Sequence, residues 1–208
     1  MNALVYDLEI VKGICGRGEQ KIEGIEYCHG WNDHANMGVS VIGAYDYVEE
    51  RYRTFCADNF VEFFELCAQR DTLISFNGVN FDNRVLCYVD GCNHHLNDPV
   101  KQYDLLREIW ICKGYNPNKF NPHTHGGFGL DPMCRVNGIG CKSGNGALTP
   151  VQWQRGEIGK VIDYCLMDVK LTKDLFDKSQ AGPLVSPKGG SLLNLRKVLV
   201  ENSSLKDT

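Results

Sequence analysis

The apolar positions nearest the amino terminus form one run of strand length, residues 3–10, that reads Ala-Leu-Val-Tyr-Asp-Leu-Glu-Ile. Two acids, Asp7 and Glu9, interrupt this run two residues apart. Side chains alternate between the faces of a β-strand, so both carboxylates project from one face, about 7 Å apart along the strand. Buried carboxylates repel one another unless a cation neutralises them. The run predicts a platform for a divalent metal, and by itself it also fits an edge strand with solvated acids.

Apolar runs continue this strand pattern downstream. Residues 37–47 and 51–56 predict two further strands joined by a polar turn, and three strands in succession suggest an antiparallel meander. Phenylalanines then recur at helical spacing over 59–69, where Asn59 and a glutamate three residues later resemble a capping box. Residues 72–76 form a short apolar run with no room for a helix, which predicts a buried strand.

The carboxyl-terminal half has one dominant helical pattern. Residues 157–178 carry apolar side chains on one broad face, as expected of an amphipathic helix packed on a core. Two shorter helices are predicted over 81–90 and 102–112. Glycines and prolines end the long helix, and the apolar and basic run 192–200 predicts one last helix or strand.

The composition is that of an ordinary globular protein, with 208 residues, 43% hydrophobic and 23% charged. We expect one domain over residues 1–182, followed by a C-terminal extension over 183–208 of unassigned role. The formal net charge of −4 excludes a generally basic, DNA-coating surface, but not an acidic site that binds phosphate through cations. No apolar run approaches the ~20 residues of a membrane span, and no leader precedes the first strand. We therefore expect a cytoplasmic protein without membrane contact.

The ten cysteines are scattered and contain no Cys-x-x-Cys pair. Their tightest grouping with histidine could make a zinc site, and it consists of Cys87, Cys92, His94 and His95. Because Cys87 lies inside an apolar helical stretch, we interpret it as a small buried side chain. Disulfides are not expected in a chain without an export signal.

Two glycine-rich stretches carry further candidate chemistry. Residues 113–128 read as a long loop, in which we interpret His123 and His125 as solvated rather than metal-bound. Residues 129–147 contain Gly138, Gly140, Gly144 and Gly146 around Lys142, but they do not match a phosphate-binding P-loop.

Two local patterns add acids that could converge on the first strand. The predicted strand 72–76 leads into Asn77-Gly-Val-Asn-Phe-Asp, which puts Asp82 at the start of a helix just past a strand end. An asparagine followed in this way by Phe-Asp is expected by chance only about 0.05 times in such a chain. In the long helix, Tyr164 and Asp168 are four residues apart and share one face.

Together these patterns resemble the three exonuclease motifs of the DEDD superfamily, in its tyrosine-bearing branch. The residues that carry the resemblance are Asp7, Glu9, Asn77, Phe81, Asp82, Tyr164 and Asp168. The likeness spans roughly residues 3–178 and is greatest to the proofreading exonuclease domains of family B DNA polymerases and their stand-alone relatives. The other branch has a histidine five residues before its last aspartate, where this chain has Asp163. The resemblance implies an α/β, RNase H-like fold, with a mixed five-stranded β-sheet flanked by α-helices.

The resemblance also implies a site for two divalent ions, Mg²⁺ or Mn²⁺, because its ligands are all carboxylates. Asp7 would bridge both ions, Glu9 and Asp168 would complete the site of the ion that activates water, and Asp82 would hold the second ion. Tyr164 would orient the attacking water through its hydroxyl.

Two further residues of the second motif are assigned to the substrate by the same resemblance. Asn77 would form a hydrogen bond with the 3′-terminal nucleotide, and Phe81 would pack or stack on it. Plain core packing is an equally good interpretation of Phe81. Asp104 and Asp163 are left out of the ligand set, because helix surfaces carry acids routinely.

The activity implied is hydrolysis of phosphodiester bonds from the 3′ end of DNA, at single-stranded or frayed ends, with release of nucleoside 5′-monophosphates. DNA is favoured by the likeness of the second motif to that of family B polymerases, and a 3′-5′ exoribonuclease is the alternative. A catalytically silent nucleic-acid-binding module is an alternative of another class, although all four acids and the tyrosine are present. Nothing in the sequence indicates a protein partner.

Overall fold

The computed structural model describes residues 1–16, 18–142 and 144–198. Its strands are β1 (Ala3–Ile10), β2 (Gly13–Ile14), β3 (Tyr27–Cys28), β4 (Val39–Asp46), β5 (Arg51–Phe55), β6 (Thr72–Ser75), β7 (Gln102–Asp104), β8 (Leu184–Val185) and β9 (Leu192–Leu193). Its α-helices are α1 (His34–Met37), α2 (Phe60–Gln69), α3 (Asp82–Leu86), α4 (Leu105–Cys112), α5 (Pro122–His125), α6 (Leu130–Val136), α7 (Thr149–Gln154) and α8 (Ile158–Ala181).

Five strands form the central sheet, in the order β5-β4-β1-β6-β7. Strands β1, β4 and β5 pair antiparallel, whereas β6 runs parallel to both β1 and β7. The sheet is therefore mixed, and helices cover both of its faces. This confirms the predicted α/β class, the mixed five-stranded sheet and the antiparallel meander.

Strand β1 lies at the centre of the sheet because it is apolar on both faces, and seven of its eight residues are buried. Ala3 and Val5 pack on one side with α4, α6 and α8. Leu4, Tyr6 and Leu8 pack on the other side with α2 and α3. The two-residue period of the strand therefore assigns Asp7 and the other odd-numbered positions to the face covered by α8.

Two predicted helices agree closely with the structure. The long helix predicted over 157–178 is α8, and the helix predicted over 59–69 is α2. The capping box is wrong, because the Asn59 side chain accepts a hydrogen bond from the backbone N–H of Cys56 at 2.7 Å instead of from the helix. The side chain thus fixes the turn between β5 and α2.

Two other helix predictions need correction. The helix predicted over 81–90 is shorter, because after α3 the backbone continues in turns such as Tyr88 N–H to the Val85 carbonyl. The first three residues of the helix predicted over 102–112 form strand β7 instead, and α4 follows. The boundary lies at Asp104, whose extended backbone and side-chain cap start α4.

Two local interpretations are also wrong, and one helix was not predicted. Cys87 is exposed rather than buried, because α3 has already ended there. His125 is buried, and its ring nitrogens meet the Asn121 N–H at 3.2 Å and the Asn116 carbonyl at 3.0 Å, so it organises the loop from inside. The glycine-rich stretch after residue 128 contains an unpredicted helix, α6, whose apolar face is buried against α8.

The chain after α8 packs back against the domain. Strands β8 and β9 pair antiparallel, and Leu184, Leu193 and Leu195 are buried in the core beside α8. For the last helix or strand predicted over 192–200, the structure gives the short strand β9 and irregular backbone to residue 198, and positions 199–200 lie outside the described residues. None of the described helices has both the length and the apolarity to cross a membrane.

Candidate active site

The carbonyl ends of β1 and β6 define one edge of the sheet, where the acids of the first two motifs meet. Strand β6 ends at Ser75, so the backbone of β1 beyond this point has no strand partner on that side. The Asp82 carboxylate, at the start of α3, takes this place and accepts a hydrogen bond from the Leu8 N–H at 3.3 Å. Asp82 is thereby tied to the backbone of β1 between Asp7 and Glu9.

Helix α8 brings the acid of the third motif, Asp168, to the same edge. It can approach because one residue of the sheet below it is a glycine. Gly43 of β4 pairs with Asp7, and a Cβ at Gly43 would lie 2.9 Å from the Cys165 sulfur and 3.2 Å from Val169. Because Gly43 has no side chain, α8 lies directly on the sheet. Asp168, about one turn after Cys165 in the helix, therefore lies beside the acids of β1.

Three of the carboxylates converge. One oxygen from each of Asp7, Glu9 and Asp168 lies within 4.8 Å of the others, and Glu9 and Asp168 are buried. Within residues 1–16, 18–142 and 144–198, this is the one group of three or more such side chains with converging ligand atoms. The cysteines and histidines near residue 90 therefore do not form such a group.

Burial raises the pKa of all three carboxyl groups of this cluster and that of Asp82, which lines the same cavity outside the convergent group. It raises the pKa of Glu9 to about 8 and that of Asp82 to about 7. The pKa of Asp7 rises well above its usual range, first through burial and then through the charges of Asp82 and Asp168. The pKa of Asp168 is also raised by burial. Burial and mutual repulsion make the ionised form of these carboxyl groups unfavourable, and a bound cation would offset both effects.

Lys142 is the positively charged side chain among the described residues that line this site. Its ammonium contacts one oxygen of Asp168 and lies 3.3 Å from the Tyr164 hydroxyl. Burial lowers the pKa of Lys142, but the Asp168 charge outweighs burial and the net shift is upward. The other Asp168 oxygen is buried and has no hydrogen-bond partner among the described residues.

The glycines around Lys142 have a local explanation. A Cβ at Gly144 would lie 3.2 Å from the Tyr164 ring, and one at Gly146 would lie 3.2 Å from its hydroxyl. The stretch is therefore glycine-rich because it passes directly over Tyr164. The same stretch leads into α7, whose Thr149 hydroxyl donates a hydrogen bond to Glu9.

Asp104 is a buried residue and not a surface acid. Its carboxylate accepts hydrogen bonds from the N–H groups of Asn77 at 2.9 Å and Val79 at 3.1 Å, and it also caps α4. Asn77 has a positive φ of 67°, so the turn is strained for a non-glycine residue and depends on such support. The interpretation of Asp104 as a helix-surface acid is wrong, whereas Asp163 is exposed as expected.

All seven residues singled out in the sequence line one cavity of about 530 Å³. By chemistry its lining divides into an acidic half, the four carboxylates, and an apolar half, Leu8, Ile10, Ile14, Trp31 and Phe81. Phe81 is half-buried: part of its ring packs against the core below α2, and the rest faces the cavity. Both interpretations of Phe81 thus describe part of its surface.

Sequence reasoning missed Trp31, Lys142 and Thr149 as parts of this site. Thr149 carries no recognisable signal, because its partner Glu9 is 140 residues away. Lys142 was visible as the one lysine in the glycine-rich stretch, but its contact with Asp168 needs the tertiary fold. Trp31 lies in a polar stretch without periodicity.

The mixed five-stranded sheet with helices on both faces is an RNase H-like fold. Among solved structures, the chain is similar to the family B DNA polymerase from the hyperthermophilic archaeon Pyrobaculum calidifontis, with a TM-score of 0.54 and 15% identity. The match covers 85% of this chain and 24% of the polymerase chain, so this chain spans about a quarter of that protein. At this identity the likeness is one of fold. No protein-family model and no curated protein matches the chain.

Proposed function

We propose that the chain is a metal-dependent 3′-5′ exonuclease of the tyrosine-bearing branch of the DEDD superfamily, acting on DNA ends. The observation that carries the proposal is the convergence of Asp7, Glu9 and Asp168 within 4.8 Å, in a cavity that Asp82 and Tyr164 also line. Carboxylates crowded and buried in this way cost stability unless they hold cations. The fold shared with part of a DNA polymerase supports a nucleic-acid substrate.

The residues present fit two divalent ions, Mg²⁺ or Mn²⁺. The donors are oxygens alone, which suits these ions, and one buried Asp168 oxygen has no other partner in the described part of the chain. Asp7, Glu9, Asp82 and Asp168 would hold the ions. When bound, such ions lower the pKa of water and offset the charge that develops on the phosphate.

Tyr164 acts as an orienting group. Burial, followed by the charge of Asp168, raises the pKa of its phenol, so the hydroxyl stays protonated at neutral pH and is not a base. The hydroxyl is held 3.3 Å from the Lys142 ammonium and faces the cavity. A neutral hydroxyl at this position forms a hydrogen bond with the attacking water and fixes its direction.

The reaction is hydrolysis of the last phosphodiester bond. A bond forms between the water oxygen and phosphorus, the bond from phosphorus to the 3′ oxygen breaks, and that oxygen takes up a proton. The products are a nucleoside 5′-monophosphate and a strand with a new 3′-hydroxyl. Asn77 forms a hydrogen bond with the terminal nucleotide, and the exposed part of Phe81 contacts its base.

The test is a time course on 5′-labelled single-stranded DNA with Mn²⁺, resolved on a denaturing gel. We expect a descending ladder that disappears in Asp7→Asn and persists in Asp163→Asn, which changes an exposed acid of α8. Circular single-stranded DNA should stay intact, because it has no 3′ end. Cleavage of the circle, or a ladder that survives in Asp7→Asn, would contradict the proposal.

The same gel run with matched RNA tests the sugar. Faster shortening of RNA than of DNA would make the chain an exoribonuclease and correct the substrate class. Intact label on both nucleic acids, together with retained binding in a gel-shift assay, would instead indicate a silent binding module.

A further inference from the structure

Two side chains of the apolar half of the cavity, Ile14 and Trp31, come from the segment between β1 and β4, of which the structure describes residues 11–16 and 18–38. Its most prominent side chain is Trp31, which is 68% exposed. One edge of the indole meets Phe81 in a T-shaped contact, with ring centroids 6.0 Å apart. The remaining indole surface is open at the cavity mouth.

The turn that carries Trp31 is held by its own hydrogen bonds and not by packing of the indole. The Asp33 carboxylate accepts hydrogen bonds from the His29 N–H at 2.8 Å and from the Asn36 side-chain amide at 2.7 Å. The Asp33 N–H closes the turn by donating to the Gly30 carbonyl at 3.0 Å. These bonds fix the turn that carries Trp31, while the surface of the indole stays exposed.

A single exposed aromatic residue is common on protein surfaces and carries no meaning by itself. Trp31 differs in its surroundings. The cavity that it lines has both carboxylates and an apolar wall, and Trp31 adds to that wall in contact with Phe81. A nucleotide has the same division, because its phosphate seeks cations while its base has a neutral π-face that stacks on aromatic rings.

A second depression continues from the cavity at Asn77. It measures about 390 Å³ and is lined by Asn80, Arg84, Asn118 and Phe120 among others, with no acid in its lining. Arg84 makes no ion pair within the part of the chain that the structure describes. This surface suits the backbone of a strand that extends away from the cavity.

We propose that Trp31 is a substrate-positioning residue that stacks on an unpaired base at the 3′ end and so selects single-stranded or frayed ends. The inference rests on the proposed function and adds to it the residue that recognises an unpaired end. A base can reach the indole only when it is unpaired and unstacked from its own duplex, at a cost that is small for a frayed end. A blunt, fully paired end must first separate.

Fluorescence tests the stacking directly, because Trp31 is exposed whereas Trp110 is buried and Trp153 is half-buried. The probe is a short oligothymidylate whose last linkage is a phosphorothioate that resists hydrolysis, added with Mg²⁺. We expect saturable quenching of tryptophan emission that is lost in Trp31→Ala. The matched control is Tyr88→Ala, which removes another exposed aromatic residue outside the cavity and should retain the quenching.

Affinity measurements separate stacking from a structural role. Trp31→Ala should weaken binding of the oligonucleotide about tenfold, in line with the loss of one stacked base, and Trp31→Phe should restore most of it. With abasic sites at the 3′ end, wild type and Trp31→Ala should bind within about twofold of each other. Equal losses on both oligonucleotides, no loss on either, or no binding by the wild type would overturn the inference.

The rate on a blunt duplex, compared with the same duplex carrying an unpaired 3′ tail, completes the test. Wild type should prefer the tail, and Trp31→Ala should lose most of that preference. A normal ladder with unchanged base and tail preferences in the variant would overturn the role of Trp31 and leave the exonuclease proposal intact. Base-dependent quenching without any ladder would reject the exonuclease and leave the stacking site.

Discussion

The two halves of the cavity are built differently. The acidic half projects from regular elements: Asp7 and Glu9 from the central strand β1, Asp82 from the start of α3 and Asp168 from the middle of α8. In the apolar half, Trp31 comes instead from a turn between β3 and α1, where it meets Phe81 at the start of α3. Groups that perform chemistry need exact positions, which packed strands and helices supply, whereas substrate selection is commonly carried by loops on such a scaffold.

This contrast predicts different kinds of defect. Changes in the acidic half should affect metal binding and the rate of the bound complex. Changes in the apolar half should affect affinity and the preference for unpaired ends, and should leave metal binding intact.

The largest effect is expected from Asp7→Asn. The variant loses one charge of the convergent group, so the hydrolysis rate should fall on the order of 10³-fold, equivalent to about 4 kcal/mol of transition-state stabilisation. Thermal melts should show the same loss, because Mn²⁺ raises the melting temperature of the wild type by binding the native state and should barely raise that of Asp7→Asn. Asp163→Asn should behave as wild type in both measurements. An unchanged Mn²⁺ response in Asp7→Asn would contradict the metal site.

Tyr164→Phe should follow, with a loss of about 10²-fold in kcat and little change in KM. The hydroxyl faces the cavity beside Lys142, and its removal leaves all four carboxylates in place. The Mn²⁺-induced rise in melting temperature should therefore persist. Steady-state kinetics on single-stranded DNA measure the first effect and thermal melts the second. A loss that appears only in KM would assign Tyr164 to substrate binding instead.

The same contrast explains what the sequence could predict. The central strand and the long helix have strong periodicity, so their positions and the convergence of Asp7, Glu9 and Asp168 follow from local patterns. The position of Asp82 could also be predicted from the sequence, because an acid that follows a buried strand lies at the edge of the sheet. The metal and substrate roles assigned to these residues remain predictions.

The rest depends on tertiary contacts that local patterns do not encode. Gln102, Tyr103 and Asp104 look helical with the residues after them, yet they pair with β6. The Asp104 carboxylate supports a turn 25 to 27 residues earlier in the chain. Lys142 reaches Asp168 across 26 residues. The turn of Trp31 has polar residues and a glycine, a composition that predicts a loop but not the wall of a cavity.

Lys142→Met tests the acidic half without removing an acid. Loss of the ammonium leaves Asp168 without its partner, so the metal-free variant should be less stable by roughly 2 kcal/mol. Mn²⁺ should then raise its melting temperature more than that of the wild type, since the cation relieves a larger repulsion. Melts with and without Mn²⁺ measure both quantities. A smaller Mn²⁺ response than in wild type would mean that Lys142 supports metal binding rather than substituting for it.

Asp104→Asn examines the link between the halves, because Asp104 holds the turn of Asn77 at the edge of the cavity. An amide has one acceptor oxygen where the carboxylate has two, so some of the N–H groups of this turn and of α4 lose their partner. We expect a loss of about 1 to 2 kcal/mol in unfolding free energy, measured by urea denaturation. Asp98→Asn, in an exposed turn, is the matched control. Full stability of Asp104→Asn would show that the turn does not depend on the charge.

The smallest effect is expected from Asp33→Ala, which leaves every lining side chain unchanged. The variant loses the hydrogen bonds from His29 and Asn36, so Trp31 should sample more orientations and present a less ordered surface to the base. KM on single-stranded DNA should rise about threefold, less than the effect of removing one stacked base, while kcat and the Mn²⁺ response stay at wild-type values. On the oligonucleotide with an abasic 3′ end, wild type and Asp33→Ala should be equal. A fall in kcat with unchanged KM would mean that the loop segment also positions the acids, and the two halves of the cavity would then act as one unit.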